Sequence, residues 1–307
     1  MKPRAWTAVA ALAVVLACGG CGLGRAAPTK SVSLTVTGQF GARHIATVSR
    51  GGKPGAGSVL RLSERSFKVT TRGGGSVESI NGLAPSGGQA DWFYYVNGVR
   101  APKAAASTAV HAGDHIWWDL HDPSATQSIP AVVGSFPEPF TNGIGGKRYP
   151  VTLECAANVD AACTRVAKAM AAVHVPASSQ LLGTGSGPST LGIVVGTWSE
   201  IRSEVAAELV AHGPGASGVY ARFSGPRGAA LQLLDPSGQV ARTLGAGAGL
   251  IAATADSSSV PTWMITGTDP AGVLAAARAL SPQALRDHFA LAVHGAARFP
   301  VPIPASS

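Results

Sequence analysis

The sequence predicts an α+β protein in which a small β-rich module, residues 31–122, precedes a separate mixed α/β domain, residues 150–299. Three observations predict it. At 307 residues the chain is long for one small core, so two domains are expected. The first third reads as short strands divided by Gly- and Asn-containing turns. The second half alternates apolar strand-like runs with Ala-rich helical stretches, the pattern of an α/β unit.

Composition narrows the class. The chain is 46% hydrophobic and 13% charged, about half the usual charged share. A disordered chain has the opposite balance. The net charge is +8, but the basic residues are scattered and form no stripe interleaved with aromatic rings. Nucleic acid is therefore not an expected partner. An envelope location among acidic polymers or anionic lipids suits the charge.

Residues 1–17 read as a lipoprotein signal peptide. Lys2 and Arg4 form a basic start, and "TAVAALAVVLA" is an apolar stretch too short to span a bilayer. "VVLACGGC" then resembles a bacterial lipobox, with small Ala17 before Cys18. Cys18 is the expected lipid acceptor and Cys21 the alternative. An extracytoplasmic protein, lipid-anchored to the cell membrane, is expected. Residues 18–30 form the tether.

"SVSLTVTG" alternates at period two, as a half-buried strand does. "SVLRLSERSFKVTT" holds a short helix and a strand. "DWFYYVNG" is a strand ending at Asn97-Gly98, a pair that tolerates the positive φ angles of a type I′ hairpin. Gly113-Asp114 turns into a second aromatic strand, His115 to Leu120. Residues 123–149 are rich in Pro and Gly and read as a linker or extended crossing segment.

In the second domain "YPVTLEC" reads as a strand. "NVDAACTRVAKAMAAV" reads as a helix capped by Asn158 or Asp160. "LGIVVGTWSEIRSEVAAELV" and "PTWMITGTDPAGVLAAARAL" each read as strand, Gly-Thr turn and helix, the latter with Asp269 as cap and Pro270 at the first helical position. "GVYARF" and "AALQLLDPSGQVART" supply further strands. "SPQALRDHFALAV" reads as a last helix, and residues 300–307 as an extended tail. Cys155 and Cys163 are expected to form a disulfide in an oxidising exterior.

No pattern marks an enzyme. There is no G-x-S-x-G elbow and no P-loop. His111, His115 and His121 cluster with Asp114, Asp119 and Asp122, a grouping that suits a metal or acid–base site but more often a solvated hairpin; no metal and no cofactor is expected. Gly196-Thr197 and Gly267-Thr268-Asp269 are polar-ligand candidates at strand ends, and Thr197, Ser199 and Asp269 would serve an enzyme in that crevice.

The aromatic residues carry more. Six of the eighteen Phe, Trp and Tyr residues fall in "DWFYYVNGVRAP" and "HAGDHIWWDL". With "SING" at Ser79–Gly82, "DWFYYVNGV" at Asp91–Val99 and "AGDHIWW" at Ala112–Trp118, residues 31–122 resemble the transcobalamin-like C-terminal domain family. The resemblance implies a β-grasp-like module that, in vitamin B12 carriers, covers one face of a corrinoid. The helical domain that holds the other face in those carriers has no counterpart here, because the second domain reads as α/β.

Strand alternation sets Trp92, Tyr94 and Val96 against Phe93 and Tyr95. One set must build the core. The other is either an exposed row that stacks on a flat ligand, or lies beneath the second domain or the linker. Trp92, Tyr94, Tyr95, Asn97, Trp117 and Trp118 are the candidate ligand-binding residues. The expected function is non-catalytic capture of a ligand at the cell surface, a corrinoid being the first small molecule to test. A structural or adhesive envelope protein that binds a glycan or a protein partner is the alternative.

Overall fold

The computed structural model describes residues 31–50, 57–87, 89–256 and 260–303. Cys18 and Cys21 lie outside the described residues. The protein is α+β with mixed sheets.

The N-terminal module contains β1 (Val32–Gly38), β2 (Arg43–Arg50), α1 (Val59–Ser66), β3 (Val69–Arg72), β4 (Ser76–Ile80), β5 (Asp91–Val96), β6 (Val99–Arg100) and β7 (His115–His121). Five of the strands form one sheet in the order β2-β1-β7-β5-β6, with the central pair β1 and β7 parallel and the other pairs antiparallel. The β5–β6 turn follows the sequence. Asn97 and Gly98 take φ of 55° and 74°, the doubly positive combination of a type I′ turn. Helix α1 starts at Ser58, whose hydroxyl accepts from the Arg61 N–H. It buries Val59 and Leu60 against Leu34, Ile116, Trp92 and Trp118.

The remainder is built on β8 (Val151–Cys155), α2 (Asp160–Ala172), β9 (Ser178–Leu181), β10 (Leu191–Thr197), α3 (Trp198–Ile201), α4 (Val205–Ala211), α5 (Pro214–Ser217), β11 (Ala221–Ser224), β12 (Ala230–Leu234), β13 (Val240–Leu244), β14 (Ala248–Thr254), β15 (Thr262–Gly267), α6 (Pro270–Ala279), α7 (Pro282–Leu285), β16 (Ala290–His294) and β17 (Ala297–Val301). Its main sheet runs β17-β16-β14-β15-β10-β8-β9. The strands from β15 to β9 are parallel neighbours and those from β14 to β17 antiparallel. The central strands β10 and β14 are buried along their whole length, as strands covered on both faces must be. One face packs on α2 and α6. The other packs on α3, α4, the β11–β13 sheet and the N-terminal module.

Residues 123–149 form a packed strap. Ile129, Val132, Val133, Phe136 and Phe140 are buried, and its backbone is hydrogen-bonded on both sides: Val132 N–H donates to Gly98 and Val133 N–H to Phe289.

Two local expectations are corrected. The stretch after Pro282 is not one helix: α7 ends at Leu285, and Ala290–His294 is strand β16. Asp287, at φ 60°, turns the chain out of the helix, and the apolar run that follows fills the gap between β14 and β17. Helix α2 is capped by neither Asn158 nor Asp160; Val159 holds the cap position and Asp160 lies in the first turn, where a carboxylate suits the helix dipole. Cys155 and Cys163 are disulfide-bonded, tying the end of β8 to the first turns of α2 with a Cα–Cα distance of 6.1 Å.

Candidate functional site

The alternation of β5 and β7 places the aromatic residues on two faces, and both faces are covered. Trp92 and Trp118 lie in the module's own core. Tyr95 and Trp117 point the other way, into the core shared with the second half, where both meet Phe289. Trp117 is fully buried and Tyr95 is 1% exposed. Of the two readings that the sequence left open for the outer rings, an exposed row or a covered one, Tyr95 and Trp117 follow the second: they are a seam between the two halves of the protein, and their use as ligand-binding rings is corrected. A ring that excludes water by packing on protein has no face left for a ligand. Tyr94 is half-buried, with its hydroxyl donating to the Lys103 carbonyl and hydrogen-bonded to Thr108 Oγ1 at 2.8 Å.

Asn97 is buried and spends its amide on structure. Its Nδ2 donates to Asp114 Oδ1 and to the Gly143 carbonyl, both at 2.8 Å, and its Oδ1 accepts from His115 N–H at 2.8 Å. It locks the β5–β6 turn to the Gly113-Asp114 turn and to the strap. Asp119 is equally committed, accepting from the Phe40 and Gly41 N–H groups and pairing with His121 Nδ1 at 2.7 Å. His121 is stacked between Phe40 and Phe93.

Beside this seam lies an open cleft of about 690 Å³. Its walls come from β1, β2 and β7 on one side and from the strap and the Arg286-Asp287 turn on the other. A continuous run of side chains lines it. Asp287 Oδ2 meets His44 Nδ1 at 3.0 Å, and His44 Nε2 meets Thr47 Oγ1 at 3.4 Å. Thr47 Oγ1 meets Thr35 Oγ1 at 3.3 Å, and Thr35 Oγ1 meets His115 Nε2 at 3.1 Å. The run ends at Ser135 Oγ, 2.9 Å from His115 Nδ1. Burial lowers the His115 pKa to about 4, against the opposing pull of the Asp287 carboxylate. His115 is thus neutral at pH 7. Burial also lowers His288, again opposed by Asp287. Arg286 stands exposed at the rim with no ion-pair partner among the described residues.

Backbone geometry holds the two walls close. Gly41 packs so tightly on the Asp287 carbonyl that an added Cβ would stand 1.7 Å from its oxygen. Asp287 itself occupies the left-handed region, which is costly for a residue with a side chain.

The other candidates are dispersed. His111 lies 3.5 Å from Asp114, His115 faces two hydroxyls, and His121 pairs with Asp119. Among the described residues no three His, Cys, Asp or Glu side chains converge on one metal position. Thr197 and Glu200 form a capping box for α3, and Ser199 hydrogen-bonds Thr197 at 3.1 Å. Asp269 caps α6, accepting from Gly272 N–H at 2.8 Å and Gly247 N–H at 2.6 Å. These strand-end residues are occupied as caps. Sequence reading missed Thr35, Thr47, Ser135, Arg286 and Asp287; the only local signal was a polar residue set within otherwise strand-like or packed segments.

Residues 58–122 match the family model of a domain of unknown function, DUF4430. No curated protein matches the chain. Among solved structures, a protein of Ruminococcus gnavus ATCC 29149, described as a "putative metal binding protein", is similar at 18% identity and a TM-score of 0.27, over 30% of this chain and 97% of that one.

Proposed function

We propose that the protein is an exported, lipid-anchored, non-catalytic ligand-binding protein that captures a small hydroxylated anion in the cleft between its two halves. The observation that carries this reading is the cleft of about 690 Å³, walled by both halves and lined by the run from Asp287 to Ser135. That volume suits a small molecule. Hydroxyl and imidazole groups along one wall can exchange hydrogen bonds with ligand hydroxyls, and the Arg286 guanidinium at the rim suits a carboxylate or phosphate. The His115 pKa of about 4 supports binding over turnover, because general-base catalysis favours a pKa near the working pH.

The lipid anchor rests on "VVLACGGC" at residues 14–21. The transcobalamin-like, β-grasp-like reading of the N-terminal module rests on its three ordered motifs, the DUF4430 match and the sheet order with a parallel central pair under α1. It supports a module that closes over a ligand held by a second domain. A corrinoid is the ligand that this resemblance implies; the buried rings offer it no stacking face.

The test is calorimetric titration of the full chain with glucuronate, glucose, cyanocobalamin and soluble cell-wall glycan fragments. Glucuronate is expected to bind, and Arg286→Ala to weaken it at least tenfold without moving the melting temperature. Chemical conversion of the ligand, no binding of glucuronate, or tight binding of cyanocobalamin or glycan fragments that ignores Arg286 would overturn the reading.

A further inference from the structure

A second cavity, remote in chemistry from the first, lies over the inner strands β14, β15, β10 and β8 of the main sheet. It is about 290 Å³ in volume and is lined by Glu154 of β8, Glu204 ahead of α4, Asp256, and the apolar side chains Val194, Leu209 and Val260. Among the described residues no Lys, Arg or His lines it, although the chain as a whole carries a net charge of +8.

Glu154 is the unusual member. It is 1% exposed, on a strand whose first four residues are all buried. One carboxylate oxygen accepts from Ser186 Oγ at 2.5 Å, while Oε2 is buried with no hydrogen-bond partner. Buried polar atoms are almost always satisfied, and a carboxylate oxygen is among the costliest to leave bare. The loop that carries Ser186 reaches Glu154 by pressing on Gly192, where an added Cβ would stand 2.3 Å from Ser186 Oγ. The contact is therefore built into the strand. Glu204 supplies the second carboxylate. Its pKa is raised, first by desolvation and then by the charge of Glu154, so the two groups feel one another across the cavity.

We infer that this cavity binds a small aliphatic primary amine as its ammonium ion, held between Glu154 and Glu204. An ammonium group offers three donors and no acceptor, matching a site whose described lining carries the carboxylates of Glu154, Glu204 and Asp256 and no cation. Its three donors would satisfy Glu154 Oε2, Glu204 and a neighbouring oxygen. The aliphatic body would lie against Val194, Leu209 and Val260. A bare metal ion fits less well, because among the described residues no three His, Cys, Asp or Glu side chains are placed to hold one, and the cavity has apolar walls that an ion would not use.

The experiment is calorimetric titration of the full chain with n-butylamine hydrochloride and 1,4-diaminobutane dihydrochloride, alongside 1-butanol, calcium chloride and magnesium chloride. The amines are expected to bind at one site per chain and 1-butanol to give no heat. Glu154→Gln keeps the acceptor for Ser186 and is expected to fold while weakening amine binding at least tenfold. Glu204→Gln, at a half-buried position, is expected to weaken it severalfold. The inference is overturned if neither amine binds at millimolar concentration, if both variants bind as wild type does, or if calcium or magnesium binds instead with the same dependence on Glu154. Arg286→Ala is expected to leave amine binding unchanged, which separates this site from the cleft.

Discussion

The two faces of strands β5 and β7 carry similar rings and do different work. On the inner face Trp118 packs edge-on against Trp92 at 6.4 Å and beside Tyr94 at 4.8 Å, all within the N-terminal module. On the outer face Trp117, Tyr95 and Phe40 each meet Phe289 edge-on or tilted, with centroids 5.2, 5.6 and 5.3 Å away. Phe289 comes from the far end of the chain, just ahead of β16. One face makes a core and the other makes a joint. Aromatic pairs of this kind add roughly 0.5–1.5 kcal/mol each beyond simple burial, so a hub that meets these three rings and the His121 imidazole is a strong coupling. The density of rings in two short segments is explained by both needs falling on the same pair of strands.

The strongest way to break this comparison is to remove one tryptophan from each face. Trp117→Ala deletes a fully buried ring and the indole N–H that donates to Thr37 Oγ1 at 2.7 Å. A loss of about 3–5 kcal/mol is expected for such a truncation. Its signature is uncoupling: urea unfolding followed by far-ultraviolet circular dichroism should split from one transition into two. Trp118→Ala removes the indole bonded to Ser63 Oγ at 3.0 Å and should destabilise the module by a similar amount. If Trp117→Ala leaves a single transition shifted by less than about 1 kcal/mol, the outer face is not the joint.

How much of this was legible depends on the range of the interaction. The period-two alternation in "DWFYYV" separated the two faces correctly, and the Asn97-Gly98 turn follows from residue chemistry alone. The Asp269 cap with Pro270 behind it was legible for the same local reason. What covers the outer face was not. Phe289 sits in "RDHFALAV", which carries a helical pattern until Asp287 takes a positive φ and the run becomes strand. The strap was legible only as a linker or extended crossing segment: its prolines and glycines do not reveal that Val132, Val133 and Phe136 are buried among them. The cleft was hidden because His115 lies near two other histidines in sequence, yet its ring partners are Thr35, eighty residues away, and Ser135, twenty residues away. Glu154 did carry a signal, a lone acid in a strand otherwise apolar enough to be buried on both sides.

Acid sharpens the comparison, because the groups whose proton binding burial suppresses sit at the joint and not in the module's inner core. In the folded state His115 protonates only near pH 4, whereas its ordinary value is 6.5. The unfolded chain therefore binds the proton first. Stability from this group is fully present above pH 6.5, declines as the pH falls, and is lost by about pH 4. At about 1.4 kcal/mol per unit, the loss reaches at most about 3 kcal/mol. His288 is shifted in the same direction. Melting temperatures recorded from pH 7 to 4 should fall, and His115→Gln should flatten much of that slope. An unchanged slope in His115→Gln would assign the acid sensitivity to other groups.

The smallest effect is expected on the inner face, from Tyr94→Phe. The change keeps the ring against Trp118 and removes only a hydroxyl shared with Lys103 and Thr108. Thr108 Oγ1 retains the Ala104 carbonyl at 3.1 Å as an acceptor, so no buried donor is orphaned. The net worth of such a bond is about 1 kcal/mol, which should lower the melting temperature by a few degrees. The single unfolding transition should persist, because nothing on the outer face has been touched. If Tyr94→Phe instead splits the transition as Trp117→Ala is expected to, the inner face also carries the coupling, and the division of labour between the two sides of one strand pair fails.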